Sequence, residues 1–434
     1  MSIVLQELIR RHKAGDTVGI TSVCSAHPLV LEAAVQQAVH DGSPLLVEAT
    51  SNQVDQFGGY TGMVPTQFRD LVLEIADRCG LPRQRVVLGG DHLGPNTWRS
   101  LDPELAMANA DDLVTAYVAA GFTKIHLDCS MSCAGDPVPL TDEIVAERAA
   151  RLARVAETAA DQSQHVERPV YVVGTEVPVP GGAHEAIDTL TPTSAEAART
   201  TVEAHRRAFD AAGLSGAWER VVGLVVQPGV EFDHARVVDY EHDRTTDLQA
   251  VLDDHPHMVF EAHSTDYQTV QHLRELVQDH WAVLKVGPGL TFALREALFA
   301  LADVEDQLIA PEQRSGLVAV LERRMLEEPR WWQSHYEGDA ASQRLSRRYS
   351  YSDRSRYYWP DREVARAVER LLGNLSETEV PLPLLSQHLP DQYTRVRQGA
   401  LASDATSLVV DRVRDVLRGY AWACRAETTG GDEG

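Results

Sequence analysis

An aspartate followed directly by a histidine, Asp91-His92 in GGDHLGP, closes an apolar run and is the sharpest chemical signal in this 434-residue chain. A carboxylate can take a proton and an imidazole can hold a divalent cation, so the pair offers a general base and a metal ligand side by side. His263, in FEAHSTDYQ, adds a second imidazole, and Glu261 lies two residues upstream on the same strand face. Glu176 stands between an apolar run and the stiff PVPGG segment. Desolvation there would raise its pKa and suit it to donate a proton. Asp128 and Gln227 also follow apolar runs, the first as an acid/base or ligand-orienting group and the second as a neutral oxygen donor. Lys285, in LKVGPGLT, fits either a Schiff-base nucleophile or an interior ion pair. Lys124 begins its run, which places it at the opposite end of a strand from the others.

These groups are scattered over some 200 residues, so the fold must gather them. Eight short apolar runs recur: 19–24, 45–49, 85–89, 124–128, 170–174, 221–226, 258–262 and 282–286. Each gives way to a stretch with helical periodicity, as in Leu31, Val35, Ala38 and Val39 after the first run or Leu294, Ala297, Leu298 and Leu301 after the last. Strands alternating with helices at this spacing predict parallel pairing, and eight of them predict a closed (β/α)8 TIM barrel. The runs lack clean polar alternation, as strands covered on both faces do. In such a barrel the polar ends of the runs converge on one mouth. Two long βα loops, 131–141 and 177–195, belong to that face. The period stops near residue 305, so the reading is a barrel over 1–304 and a helical, aromatic-rich extension over 305–425. That extension is a packed cap or an oligomer contact, and residues 426–434 (TTGGDEG and the two before it) read as a disordered tail.

Composition narrows the partners. A formal charge of −24 disfavours nucleic acid, because phosphate backbones select basic faces. No run approaches the ~18 apolar residues of a membrane span, and the start, MSIVLQELIRRHKAGD, reads as an amphipathic helix without signal-peptide features. The cytoplasm is therefore the expected location. Five scattered cysteines do not make a disulfide framework, and Cys129 and Cys133 lack a second ligand pair for a zinc finger. No GxxxxGK[ST] loop, GxGxxG turn or GxSxG elbow occurs, which leaves a kinase, dehydrogenase or serine hydrolase without sequence support.

Nine segments occur in order: SVCSAHPLV, EATSNQVDQ, GGDHLGP, IHLDCSMSCAGDP, YVVGTEVPVPGG, VVQPGVEF, FEAHSTDYQ, LKVGPGLTFALREALFAL and SYSDRSRYYW. Together they resemble the family of the non-catalytic (accessory) subunit of class II D-tagatose-1,6-bisphosphate aldolase, over residues ~5–425. The resemblance implies a relative of metal-dependent aldolase barrels, some of whose kin are ketohexose or ketohexose-phosphate 4-epimerases. It implies Asp91 as proton acceptor, Glu176 as donor, Asp128 as a further catalytic group, and His92, Gln227 and His263 on the metal. Zinc is the expected ion, with manganese, cobalt or nickel as substitutes. Substrate contacts are expected from Asn52, Ser130 and Ser264, and from Arg354 and Arg356 on a terminal phosphate. Gln227 departs from the histidine that class II aldolases place at the sixth strand; Ser355 and His388 depart from an apolar and an aromatic residue. The expected function is C4 epimerisation of a ketohexose or its 6-phosphate by retro-aldol cleavage and re-addition. The alternatives are an accessory subunit stabilising a separate catalytic aldolase, and a self-sufficient bisphosphate aldolase. The expected partners are a sugar or sugar phosphate, a second copy of the chain and, in the accessory reading, that aldolase subunit.

Overall fold

A computed structural model describes residues 2–163, 167–175, 190–376 and 379–425. Eight parallel strands close into a barrel: β1 (Ile20–Val23), β2 (Leu45–Thr50), β3 (Val86–Leu93), β4 (Lys124–Leu127), β5 (Val170–Val173), β6 (Val221–Val225), β7 (Val259–Ala262) and β8 (Val283–Val286). All eight coincide with the apolar runs. A two-residue hairpin, Glu231–Phe232 with Val237–Val238, was not legible in the sequence and lies outside the barrel sheet.

The barrel interior is built in tiers, because every second residue of a strand points inward. The lowest tier is apolar: Ile20, Leu46, Val87, Val170, Val222, Val259 and Val283 form one cluster with Leu5 and Ile9. The latter two come from the helix Ser2–Lys13, whose amphipathic face thus plugs the floor of the barrel. One step up, the inward positions become Ser22, Glu48, Gly89, Lys124, Glu261 and Lys285, all buried or glycine. Gly89 is required here: a Cβ at this position would lie 2.7 Å from Glu48 Cγ. The third tier holds Asp91, His126 and His263. Lys124 therefore does not face the far end, as its place at the start of β4 suggested. Its long side chain reaches up inside the barrel.

Outward-facing residues such as Val47, Leu88, Ile125, Tyr171 and Phe260 join the surrounding helices in a single apolar core. That core also takes in the extension, through Leu317, Leu371, Val409 and Leu417. The helix that follows β8 runs Pro288–Leu308, so the barrel merges into the extension without a break at 304. The last helix, Ala405–Cys424, returns to the barrel, where Tyr420 donates a hydrogen bond to the Thr265 carbonyl at 2.8 Å. The aromatic segment is pinned by Asp353, which accepts from Thr291 Oγ1 (2.6 Å), Arg295 Nε (3.0 Å) and Ser355 Oγ (2.7 Å). Ser355 thus earns its place as a bond to that anchor. No helix of the described residues is long and apolar enough to cross a membrane, and all five cysteines are free.

His205 gives the fold a measurable pH dependence. It is fully buried on the helix Ala195–Ala211, with Nδ1 on the Thr201 carbonyl at 2.8 Å. Burial pushes its pKa down to about 4. Unfolded chains take up this proton near pH 6.5 while the folded chain does not, so its contribution is complete above pH 6.5 and lost as pH falls towards 4. The stability difference between wild type and His205→Asn should shrink by about 3 kcal/mol between pH 7 and pH 4 in urea titrations.

Candidate metal centre and active site

The charged tier holds the site from below. Lys124 Nζ lies 2.7 Å from Glu48 Oε1 and 2.6 Å from Glu261 Oε2. Lys285 Nζ contacts Asp91 Oδ1 and lies 3.2 Å from Glu261 Oε1. Ser22 Oγ donates to Glu48 at 2.5 Å. Burial alone would drive both lysines towards the neutral amine, but the facing carboxylates outweigh it and raise both pKa values. Lys285 is thus engaged as an ion pair with Asp91, Glu261 and Glu48. Asp91 and Glu261 respond in the opposite sense. Burial favours their neutral forms, yet neighbouring cations hold both well below the usual carboxylate range.

Above this tier three imidazoles meet. The ring centroids of His92, His126 and His263 are 5.1, 4.9 and 5.3 Å apart in pairs. Donor atoms of these three and of Asp91 lie within 4.8 Å of one another, all buried. This cluster could hold a metal ion. Two adjacent residues, Asp91 and His92, reach the same mouth because β3 bulges. The register against β4 slips between Gly90 and Leu93, and His92 adopts φ 49°, in the left-handed region. A regular strand would have sent one of them outward.

Each imidazole is held by a carboxylate. His92 Nδ1 lies 2.7 Å from Asp128 Oδ2, His126 Nδ1 lies 2.9 Å from Asp91 Oδ1, and His263 Nε2 lies 3.0 Å from Glu261 Oε1. Asp128 is fixed in turn by the Ser130 N–H (3.1 Å) and Oγ (2.6 Å). Burial pushes the His263 pKa down to about 3, reinforced by Lys285. For His92 burial acts in the same direction but is outweighed by Asp91 and Asp128, which make the ring more basic.

A cavity of about 550 Å³ opens onto Asp91, His92 and His263. Asn52, Gln53 and Ser264 line it from the barrel, and Arg356, Tyr357 and Trp359 from the extension. The extension is therefore a lid over the mouth. Asn52 Oδ1 accepts from Thr97 Oγ1 at 3.3 Å. Ser264, at φ 54°, donates to Glu231 Oε2 at 3.2 Å. Arg356 is half-buried against Tyr357, whose hydroxyl accepts from its guanidinium at 3.1 Å.

Several expected residues take other places. Ser130 braces Asp128 and is not among the cavity-lining residues. Asp128 has both oxygens engaged, with His92 and with Ser130, and so braces the His92 ring. Arg354 turns away from the cavity and donates to the Trp331 carbonyl, and its role is to hold the lid together. Gln227 Oε1, expected on a metal, accepts from the Gly229 and Val230 amides at 2.8 and 3.0 Å and shapes its own loop. Glu176 lies outside the described residues, as do 426–434. His126 was missed. Its signal was present: Lys124, His126 and Asp128 alternate along KIHLD, and the step of two puts them on one face.

A family model described as D-tagatose-1,6-bisphosphate aldolase subunit GatZ/KbaZ-like matches residues 5–425. The chain belongs to this family. Its resemblance, carried by nine ordered segments, thus extends over nearly the whole length. Among solved structures, one of a probable tagatose 6-phosphate kinase from Sinorhizobium meliloti 1021 is 51% identical. The match covers 94% of this chain and all of that one, with a TM-score of 0.87. A fructose-bisphosphate aldolase from Campylobacter jejuni is 13% identical over 86% of this chain and 91% of its own, with a TM-score of 0.45. In this chain the DH pair forms a bulge on β3, Asp128 at the end of β4 braces His92, and the RYYW segment lines the cavity from the extension.

Proposed function

We propose that this GatZ/KbaZ-like chain is a metal-dependent epimerase acting at C4 of a ketohexose or ketohexose 6-phosphate. The observation that carries the reading is the state of Asp91. Its Oδ1 is occupied by Lys285 and His126, while among the described residues Oδ2 has the Cys24 thiol and His92 Nε2 nearby, each at 3.7 Å. An ionised carboxylate oxygen thus faces a cavity beside three imidazoles.

When bound there, a divalent cation such as zinc would polarise the ketose carbonyl and acidify a neighbouring hydroxyl. Asp91 Oδ2 accepts the proton of the C4 hydroxyl, and the C3–C4 bond breaks by retro-aldol. Lys285 keeps Asp91 anionic and in place until that transfer. Rotation of the aldehyde fragment and re-addition on its other face invert C4. Glu176 is the donor in this reading, as it was in the sequence. Arg356, at the lid, is placed to meet the far end of the sugar or its phosphate.

A complete bisphosphate aldolase fits less well. Among the described residues, the cations lining the cavity are Lys285, already paired three ways, and Arg356. Residues 176–189 contain no Lys or Arg to add. Two phosphates would thus share one guanidinium, itself already bonded to the Ser352 and Asp353 carbonyls and to the Tyr357 hydroxyl. The family description, an aldolase subunit, supports the other alternative, an accessory partner of a catalytic aldolase. Against it stands the expense of burying ionisable groups that a scaffold would not need.

The test is a proton NMR time course with purified chain, Zn²⁺ and D-fructose 6-phosphate, repeated with D-fructose. The expected result is appearance of the tagatose form from one of them, abolished by a chelator. Metal-loaded protein that converts neither sugar would overturn the epimerase and leave the accessory reading.

A further inference from the structure

The ligand set expected from related aldolase barrels does not match this chain, since Gln227 stands at the sixth strand and its oxygen is bonded to loop amides. The three carboxylates that grip the histidines supply an alternative. A carboxylate only accepts, so the ring nitrogen facing it carries the hydrogen. That fixes the tautomers: Nδ1–H on His92, Nδ1–H on His126 and Nε2–H on His263. The opposite nitrogens are then bare lone pairs: Nε2 of His92, Nε2 of His126 and Nδ1 of His263.

His126 makes the argument sharp. The His92 backbone N–H also points at its Nδ1, at 3.2 Å. Were that bond to win, a bare nitrogen would face the Asp91 carboxylate at 2.9 Å, lone pair against lone pair. The carboxylate therefore takes the hydrogen. His126 Nε2 is then buried with no hydrogen-bond partner among the described residues. Leaving a buried acceptor unsatisfied is costly, and here it sits beside two other imidazoles. Carboxylate–histidine pairs with the second nitrogen free are how proteins orient metal ligands.

We infer that the metal is held by His92, His126 and His263, with the third histidine supplied by β4 instead of a residue from the sixth strand. Asp91 stays outside the coordination sphere, bonded to His126, and keeps Oδ2 for substrate. Three neutral nitrogens and an open fourth position suit Zn²⁺ or Co²⁺ and not Mg²⁺ or Ca²⁺, which take oxygen ligands. The inference rests on the metal-dependent reading above but is tested without turnover.

Metal-stripped full-length protein is loaded with Zn²⁺ and studied by X-ray absorption and by metal analysis after dialysis. The expected result is one Zn²⁺ per chain with three imidazoles at about 2.0 Å. His126→Ala should weaken Zn²⁺ binding on the order of 100-fold or more, while Gln227→Ala leaves it unchanged. A site with fewer than three imidazoles, a wild-type chain that binds no Zn²⁺, or metal retained by His126→Ala would each overturn it. The absorption spectrum needs no variant, so a misfolded His126→Ala would not blunt the test. A three-imidazole site in a protein that converts no sugar would sink the epimerase and spare this assignment. A chelator-sensitive epimerase with two imidazoles would do the reverse.

Discussion

Asp91→Asn should lower fructose–tagatose interconversion by 10²–10⁴-fold, the usual cost of losing a general base. An amide cannot accept the C4 proton, and it also removes the anion that Lys285 and His126 both face. Two effects therefore combine at one atom pair. The ammonium of Lys285 keeps Glu261 and Glu48 as partners, so the barrel should remain folded. Turnover measured by NMR alongside circular dichroism separates the two consequences. A folded Asp91→Asn protein with undiminished turnover would remove Asp91 from the chemistry. Under the accessory reading, the same variant should still raise the activity of a catalytic aldolase subunit.

Lys124→Met should destabilise the barrel by about 3–5 kcal/mol, because it leaves two buried carboxylates without their shared counter-charge. Glu48 and Glu261 both bond Lys124 within 2.7 Å, and none of the three is exposed to solvent. The remaining cation, Lys285, is already shared among three acids. Adding Glu48→Gln to Lys124→Met should recover part of the loss, since one uncompensated charge is then removed. Urea midpoints of the single and double variants decide it. A Lys124→Met protein as stable as wild type would mean that the charged tier contributes nothing to the fold. The effect should also reach the site, because Glu261 is the group that holds His263.

Much of this was legible in the chain. The eight strands coincide with the apolar runs, since a strand buried on both faces must be apolar wherever it meets a neighbour. Strand ends named Asp91, His92 and His263 as one neighbourhood, because closure of a parallel barrel leaves them no other place to go. Three features needed the tertiary structure. The inward direction of Lys124 depends on the register of β4 against β3 and β5, which no single run encodes. The meeting of Asp91 and His92 depends on a bulge, which breaks the very alternation that a sequence reader relies on. The parting of Arg354 from Arg356 depends on how the lid is pinned by Asp353, Thr291 and Arg295, some 60 residues apart in the chain.

The sequence by itself therefore determined the periodic part of this protein: strand count, closure, and which ends share a mouth. Those follow from local hydrophobic pattern, which is repeated and hence redundant. Only the tertiary structure decided which carboxylate lies against each histidine, and that His126 rather than Gln227 stands beside His92 and His263. Such choices turn on single hydrogen bonds between residues 34 to 36 positions apart or brought together across the barrel, and one bond leaves no pattern in a sequence.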